Sequence, residues 1–326
     1  MIELRLRLAQ RAGMLLALGL FVLMFALYVG HHPVGLNVNV ATTAANKGVI
    51  LALVAMAQTF PVLTGGLDLS VGMIFILTSC IASHLVNGSP VEIALGILAV
   101  LAAGAAAGWV NGAIVVYGRL QPIITTLATG AILYGIALLL RPVPGGNVDA
   151  ALADALTYSL FETVPTSLVV LLAVVLLIWL PFSRSETGRA CYAVGSSEGA
   201  AYMSGVAIDR ARLTAYVLSG LVAAIAGLML SFVTLSGEAS APIGGTYTLN
   251  SIAAVVIGGT SLFGGAGGAI GSVFGAFVLR TIEDLLFVFD LPPLWQPLFQ
   301  GVVLLVAVSL GAARVLRVPN RLELFS

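Results

Sequence analysis

The chain has 326 residues, 60% of them hydrophobic and only 9% charged, with 14 basic and 14 acidic residues that cancel at neutral pH. Soluble domains carry about 25% charged residues, so a water-soluble fold is excluded, and zero net charge argues against a nucleic-acid partner. With a mean hydropathy of +1.09, lipid must solvate much of the surface, and only helices or closed barrels satisfy their backbone groups there.

The alternating ten-residue segments of a barrel are not present, so an all-α polytopic membrane protein is predicted. Arg5, Arg7 and Arg11 precede an apolar run at 12–30. That run exceeds a signal-peptide core of about 7–15 residues and lacks a small-x-small cleavage site, so it reads as a first spanning helix. Further apolar segments follow at 48–63, 69–87, 91–117, 122–140, 166–182, 213–235, 249–263, 266–289 and 294–312, several broken by Gly or Pro. About ten transmembrane helices are expected, within one permease-like domain covering 1–326.

Charge sets the orientation. With the N-terminus in the cytoplasm, 11 of the 14 basic residues fall inside, among them Arg119, Arg184, Arg189, Arg210, Arg212, Arg314, Arg317 and Arg321. Lys47, Arg141 and Arg280 remain, with acids such as Asp149, Asp154, Glu162, Glu238 and Asp290 outside. This is the positive-inside pattern, and it places both termini in the cytoplasm. The loop 141–165 is then external. The loop 183–212 is the longest cytoplasmic one, with a helix expected over Ser197–Met203, capped by Ser196 or Ser197 and with Glu198 in its first turn.

The stretch Thr64-Gly65-Gly66-Leu67-Asp68-Leu69-Ser70-Val71-Gly72 is the most unusual. Asp68 is the one acid between Glu3 and Glu92. It either caps the third helix or, with Gly65, Gly66 and Ser70, shapes a translocation path, because a charge at membrane depth faces a cavity or a partner. Gln58 reads as an interior polar group or as glue between helices. Asn250, Gly258 and Gly259 mark a second break, a non-helical connection through Gly268. Gly104, Gly108 and Gly112, and again Gly267, Gly271 and Gly275, recur every four residues, which brings them to one helix face suited to close packing. Segments 2–5 and 7–10 run in opposite senses, so an inverted repeat is expected.

No catalytic constellation occurs: Gly195-Ser196-Ser197-Glu198-Gly199 spells G-x-S-x-G but lies in a polar loop with no strand before it, so it makes no nucleophile elbow, and there is no H-E-x-x-H pair. His31, His32, His84, Cys80 and Cys191 have no metal-ligand spacing, and no disulfide is expected. A Walker A loop needs a lysine behind its glycines. The one lysine is Lys47, in Ala44-Ala45-Asn46-Lys47-Gly48, so any ATP and Mg²⁺ must be bound by a partner chain, and 183–212 is the inner loop large enough to dock it.

Three stretches together resemble a known family: GGLDLSVG at 65–72; Gly188-Arg189 with Tyr192–Gly195 and Glu198–Val206; and Leu249–Leu262 with Gly264-Gly265. The chain is similar over nearly its whole length to permease subunits of bacterial ATP-binding-cassette importers for monosaccharides, of the ribose, xylose, arabinose and galactofuranose kind. The resemblance implies ten-helix subunits paired as homo- or heterodimers in the inner membrane. It also implies a cytoplasmic ATPase and a periplasmic or lipid-anchored sugar-binding protein. It maps an ATPase-coupling segment onto Glu198, Gly199, Ala200, Ala201, Met203 and Gly205, preceded by Gly195-Ser196-Ser197 where relatives often read Gly-Gly-Asn. Inositol or a furanosyl signalling molecule would suit the same family. An ion-coupled secondary transporter is the reading from another class, with Asp68 as its intramembrane acid.

Overall fold

A computed structural model describes residues 2–302 and Leu305, with side chains from Gly13 onward. Its helices are α1 (Ile2–His31), α2 (Val38–Leu63), α3 (Val71–Leu85), α4 (Pro90–Val116), α5 (Pro122–Leu140), α6 (Ala150–Thr157), α7 (Thr166–Val174), α8 (Leu180–Arg184), α9 (Glu186–Ser196), α10 (Glu198–Met203), α11 (Ile208–Thr234), α12 (Ala241–Ile257) and α13 (Ala269–Val288). A π-helical turn, Val175–Trp179, joins α7 to α8 in one apolar rod. Among the described residues six helical stretches are long and apolar enough to cross a membrane, and α3 and α12 are shorter apolar helices. The expected last segment, 294–312, is described as helix only over 296–302 and at Leu305, and Arg314, Arg317 and Arg321 lie outside the described residues.

Three helices start earlier than their apolar runs. α2 begins at Val38, capped by Asn37, whose Oδ1 accepts from Val40 N at 2.8 Å. α11 begins at Ile208 with Asp209 in its first turn. α12 begins at Ala241 on Pro242 and ends at Ile257, short of the expected 263. Polar first turns are stable where a helix meets water, and hydropathy alone cannot see them.

The helix α2 is the central post. Every residue from Gly48 to Leu63 is buried, as expected of a helix that is apolar all round. It packs on α11, α13, α12 and α7, while α4 lies on α11, and α3 on α11, α4 and α5. The outer helices turn apolar side chains outward: Leu16 and Leu23 of α1, Leu95 and Leu98 of α4, Leu127 and Ile132 of α5, and Leu172 and Leu177 of the α7–α8 rod. In water such a belt would drive aggregation; in a bilayer it meets lipid.

Small residues let backbones approach. Added side-chain atoms at Gly104 or Gly108 would run into the backbone of Gly220 and Tyr216 on α11, and Gly112 faces Leu213 and Tyr216. Gly271 and Gly275 press on the Gly258 and Ala254 carbonyls of α12. Gly267 departs from the expected stripe. It precedes α13, in the connection, and packs on Thr260, because the helix starts only at Ala269.

The connections segregate to two ends. At one end Gly265 N donates to Leu63 O (3.1 Å) and Tyr192 Oη to Gly267 O (2.8 Å), which gathers 64–70, 185–207 and 258–268. At the other end Gly145 pairs with Gly237, and Arg141 reaches Ser83 with Nε to Oγ (2.9 Å) and Nη2 to O (2.8 Å). The loop 141–165 there is structured: it holds α6 and a hairpin of β1 (Ser159–Leu160) and β2 (Val164–Pro165).

Candidate functional site

The GGLDLS stretch leaves α2 at Thr64 and re-enters helix at Val71. Gly65 has φ +78°, a region closed to most L-residues. Gly66 lies under the Tyr216 hydroxyl. Gly72 touches the Gly244 carbonyl, and its N–H donates to Thr248 Oγ1 at 3.1 Å. The loop is therefore shaped by close approach of α11 and α12.

Asp68 is fully buried. Its Oδ1 accepts from Ser70 N (2.9 Å) and Ser70 Oγ (2.6 Å), and its Oδ2 from Ser219 Oγ (3.2 Å). The Gln58 amide clamps its backbone, Nε2 donating to Asp68 O at 2.8 Å and Oε1 accepting from Asp68 N at 3.2 Å. A directional chain ends on the carboxylate: Thr129 Oγ1 donates to Asn111 Oδ1 (2.5 Å), and Asn111 Nδ2 to Ser70 Oγ (2.7 Å). Such chains polarise and strengthen one another, and bonds to a charged acceptor are the strong ones. The cap position of α3 belongs to Ser70, so Asp68 does not cap the helix directly. It holds the residue that precedes it and ties α2, α3, α4, α5 and α11 together.

Beside this knot, at the same end, lies a cavity of about 540 Å³ lined by Gly65, Gly66, Arg119, Glu198, Arg212 and Tyr216 among others. Across it sits the segment expected to couple. Ser197 caps α10, its Oγ accepting from Ala200 N at 3.3 Å, with Glu198 in the first turn. The helix stops in a Schellman turn: Gly205 N donates to Tyr202 O and Val206 N to Ala201 O, both at 3.0 Å, with Gly205 at φ +73°. Glu198 is gripped by Arg212 of α11 through two bonds, Nη1 to Oε1 at 2.9 Å and Nη2 to Oε2 at 2.7 Å. Ala201 is turned inward at 4% exposure and seats the helix, while Gly199 and Ala200 face outward. Tyr202 and Met203 are 76% and 83% exposed. Tyr202 was not among the expected coupling residues, although an aromatic beside a methionine on a short polar-loop helix was legible in the sequence. Behind α10, Cys191 of α9 is buried, and burial pushes its thiol up to about 12. It stays protonated and inert.

A second charged set was also missed. Arg280, Glu283 and Asp284 sit within five positions of α13, in an otherwise apolar segment. A charge at mid-bilayer costs about 2.5–3.5 kcal/mol even on a mild insertion scale, so three so close together were the legible signal. Arg280 pairs with Glu283, Gln300 Nε2 donates to Glu283 Oε1 (2.7 Å), and Lys47 Nζ stands 3.9 Å from Asp284 Oδ1. Asn250, expected near a path, lines a cavity of about 260 Å³ on this side. Gly258 and Gly259, by contrast, pack on Gly271 and on Gly13 of α1.

A bundle of membrane-length helices, with polar and charged groups inside and connections sorted to two ends, defines an integral membrane protein. Residues 40–308 match the family described as branched-chain amino acid transport system / permease component, and the chain belongs to that permease family. It is 32% identical over 308 residues to the ribose import permease protein RbsC of Bacillus subtilis, covering 92% of each chain. It is 34% identical over 269 residues to the fructose import permease protein FrcC of Rhizobium meliloti, covering 80% of this chain and 74% of that one. It is 29% identical over 307 residues to the autoinducer 2 import system permease protein LsrD of Photorhabdus temperata, covering 92% and 91%. No solved structure matches significantly. The chain is thus a permease subunit of the ATP-binding-cassette importer class, a multi-pass inner-membrane protein and a transport subunit, not an enzyme.

Proposed function

We propose that this permease carries a monosaccharide into the cytoplasm by alternating access, driven by a separate ATPase that binds ATP and Mg²⁺. The observation that carries the ATPase part is α10: a capped helix with exposed Tyr202 and Met203, clipped to α11 by Arg212. The monosaccharide rests on relatives that are ribose and fructose import permeases. A furanosyl solute is the alternative that the autoinducer 2 relative favours. An ion-coupled mechanism gains acids in Glu283 and Asp284, but each already faces a cation.

The end holding α10, Arg119, Arg184, Arg189, Arg210 and Arg212 is the cytoplasmic one. The chain then has ten spans, with both termini inside. A second permease subunit, homo- or heteromeric, completes the pore, and a periplasmic or lipid-anchored binding protein delivers sugar at the other end. The inverted repeat is favoured by the packing. Exchanging α2 with α11, α3 with α12 and α4 with α13 turns the α4–α11 contact into α13–α2, α3–α11 into α12–α2, and α3–α4 into α12–α13. It also pairs the two short helices, which in transporters with inverted repeats point to the binding region.

The test is reconstitution of the permease with its ATPase and binding protein in proteoliposomes. Uptake of labelled D-ribose or D-fructose that needs ATP and the binding protein is expected. Uptake that persists without the ATPase would overturn the reading. Replacing both Tyr202 and Met203 with Ala should lower ATPase binding while α10 stays folded.

A further inference from the structure

Two spaces of opposite character share a wall near the end of the bundle away from α10. The first, about 470 Å³, lies between α1, α2, α7 and α13 and is lined by Phe21, Phe25, Leu36, Leu168, Phe274 and Phe277 among others. The polar side chains on it are already partnered. Thr281 Oγ1 donates to Phe277 O at 2.8 Å, Arg280 pairs with Glu283, and Asp284 faces Lys47. The second space, about 790 Å³, is lined by Tyr28, His32, Asn39, Lys47, Glu283 and Asp290 among others. Ala44, Arg280 and Asp284 line both.

The apolar space has the reach of one leaflet. Leu168 is the third residue of α7, about 3 Å from its start. Phe21 stands ten residues before the last residue of α1, about 15 Å along the axis. Half of a hydrocarbon core of ~30 Å is the same length. Leu36 and Leu168, on its wall, are exposed and continue the belt formed by Leu20 and Leu27 of α1 and Val169 and Leu172 of α7. Water does not fill a space of this kind, and a sugar would leave its hydroxyls unpaired there. A hydrocarbon chain gains the dispersion contacts that an empty cavity forfeits.

The charged space selects what the chain is attached to. Lys47 and Arg280 stand against Glu283, Asp284 and Asp290, so two cations meet three carboxylates and the wall is net negative. Glu283 is held by Arg280 and Gln300, and Asp284 faces Lys47. Asp290, exposed on the turn after α13, has no ion pair among the described residues. An anionic head would meet this wall unfavourably. A zwitterionic head with an amine offers its cation to Asp290 and its phosphate to Lys47, which stays 45% exposed.

We propose that a phospholipid with an amine-bearing zwitterionic head, of the phosphatidylethanolamine type, seats one acyl chain in the apolar space and its head in the charged one. It comes from the leaflet at the end away from α10 and fills the gap between α1, α7 and α13. The site is for a resident lipid, not for the transported solute.

The experiment uses the assembled transporter, reconstituted in nanodiscs of equal parts phosphatidylethanolamine and phosphatidylglycerol, released into detergent and weighed by native mass spectrometry. Phosphatidylethanolamine should be retained at least threefold over phosphatidylglycerol. Ala44→Phe, which fills the shared wall, should lose the retained lipid. Asp290→Asn, on an exposed turn, should keep a lipid but abolish the preference. Should Ala44→Phe fail to assemble, Asp290→Asn decides. Retention of phosphatidylglycerol as good as that of phosphatidylethanolamine overturns the proposal, as does no retained lipid, retention unaffected by Ala44→Phe, or a preference unaffected by Asp290→Asn. The competing occupant is the second permease subunit. Cysteine cross-linking from Leu36→Cys to that subunit would put it over the apolar space and overturn the proposal, and the native Cys80 and Cys191 are buried and do not compete. No sugar uptake enters the readout, so failure here leaves the importer reading standing.

Discussion

Asp68 and the charged turn of α13 face the same cost, an ionisable group inside an apolar helix bundle, and the chain meets it in opposite ways. Around Asp68 the carboxylate accepts three hydrogen bonds, its backbone is clamped by Gln58, and the nearby cavity reaches Gly65 and Gly66 without reaching it. On α13 the Glu283 and Asp284 side chains are 10% and 13% exposed, one pairing is closed and the other stretches to 3.9 Å, and among the described residues the Nε of Arg280 has no partner, beside three cavities. A charge that is enclosed and satisfied fixes a structure. A charge left beside space is available to something that enters.

The comparison breaks first at Asp68. Asp68→Ala strands Ser70, Ser219 and the end of the Asn111 chain, and each hydrogen bond to a charged group is worth about 1.5–3 kcal/mol. The substitution should be the most damaging of all, seen as a collapse in yield and melting temperature of the purified permease. Wild-type melting with transport abolished would instead return Asp68 to a translocation path. Next comes Gly108→Leu, which forces a side chain into the Tyr216 carbonyl. Overpacking of this kind costs about 1–3 kcal/mol, so the melting point should fall by several degrees. Glu283→Gln keeps the shape and removes one charge. It should move melting less than Asp68→Ala. The reverse order of melting effects would erase the distinction between the two sites.

Much of this was legible in the residues, and the limits are physical. Spans show because a run of about 20 apolar residues matches the thickness of a bilayer core and suits little else, and the three matched stretches pointed to the permease class. The Gly104, Gly108 and Gly112 stripe was readable from spacing, because a four-residue step returns to one face. Gly267 was misplaced by the same rule, since spacing does not say where a helix begins. The partners of Asp68 were not legible: Ser219 lies 151 residues away and Asn111 lies 43 away, and no local pattern links them. Arg280, Glu283 and Asp284 were readable and were passed over, because a segment-wide hydropathy average hides three charges on one turn.

The smallest effect on stability falls at α10, and it separates docking from folding. The Glu198–Arg212 pair is bidentate but lies at the surface, with side chains 55% and 28% exposed, and exposed pairs contribute about 0–1 kcal/mol. Glu198→Ala should therefore leave melting almost unmoved. The pair is also the direct link between the helix that would meet the ATPase and α11, the element that carries Ser219 to Asp68. If force passes along that link, Glu198→Ala should lower the sugar carried per ATP hydrolysed by about threefold, the equivalent of roughly 0.7 kcal/mol, with ATPase binding retained through Tyr202 and Met203. Equal losses of binding and coupling would place Glu198 in the docking surface itself. Unchanged coupling would move the transmission path to the inward face of α10, where Ala201 seats the helix.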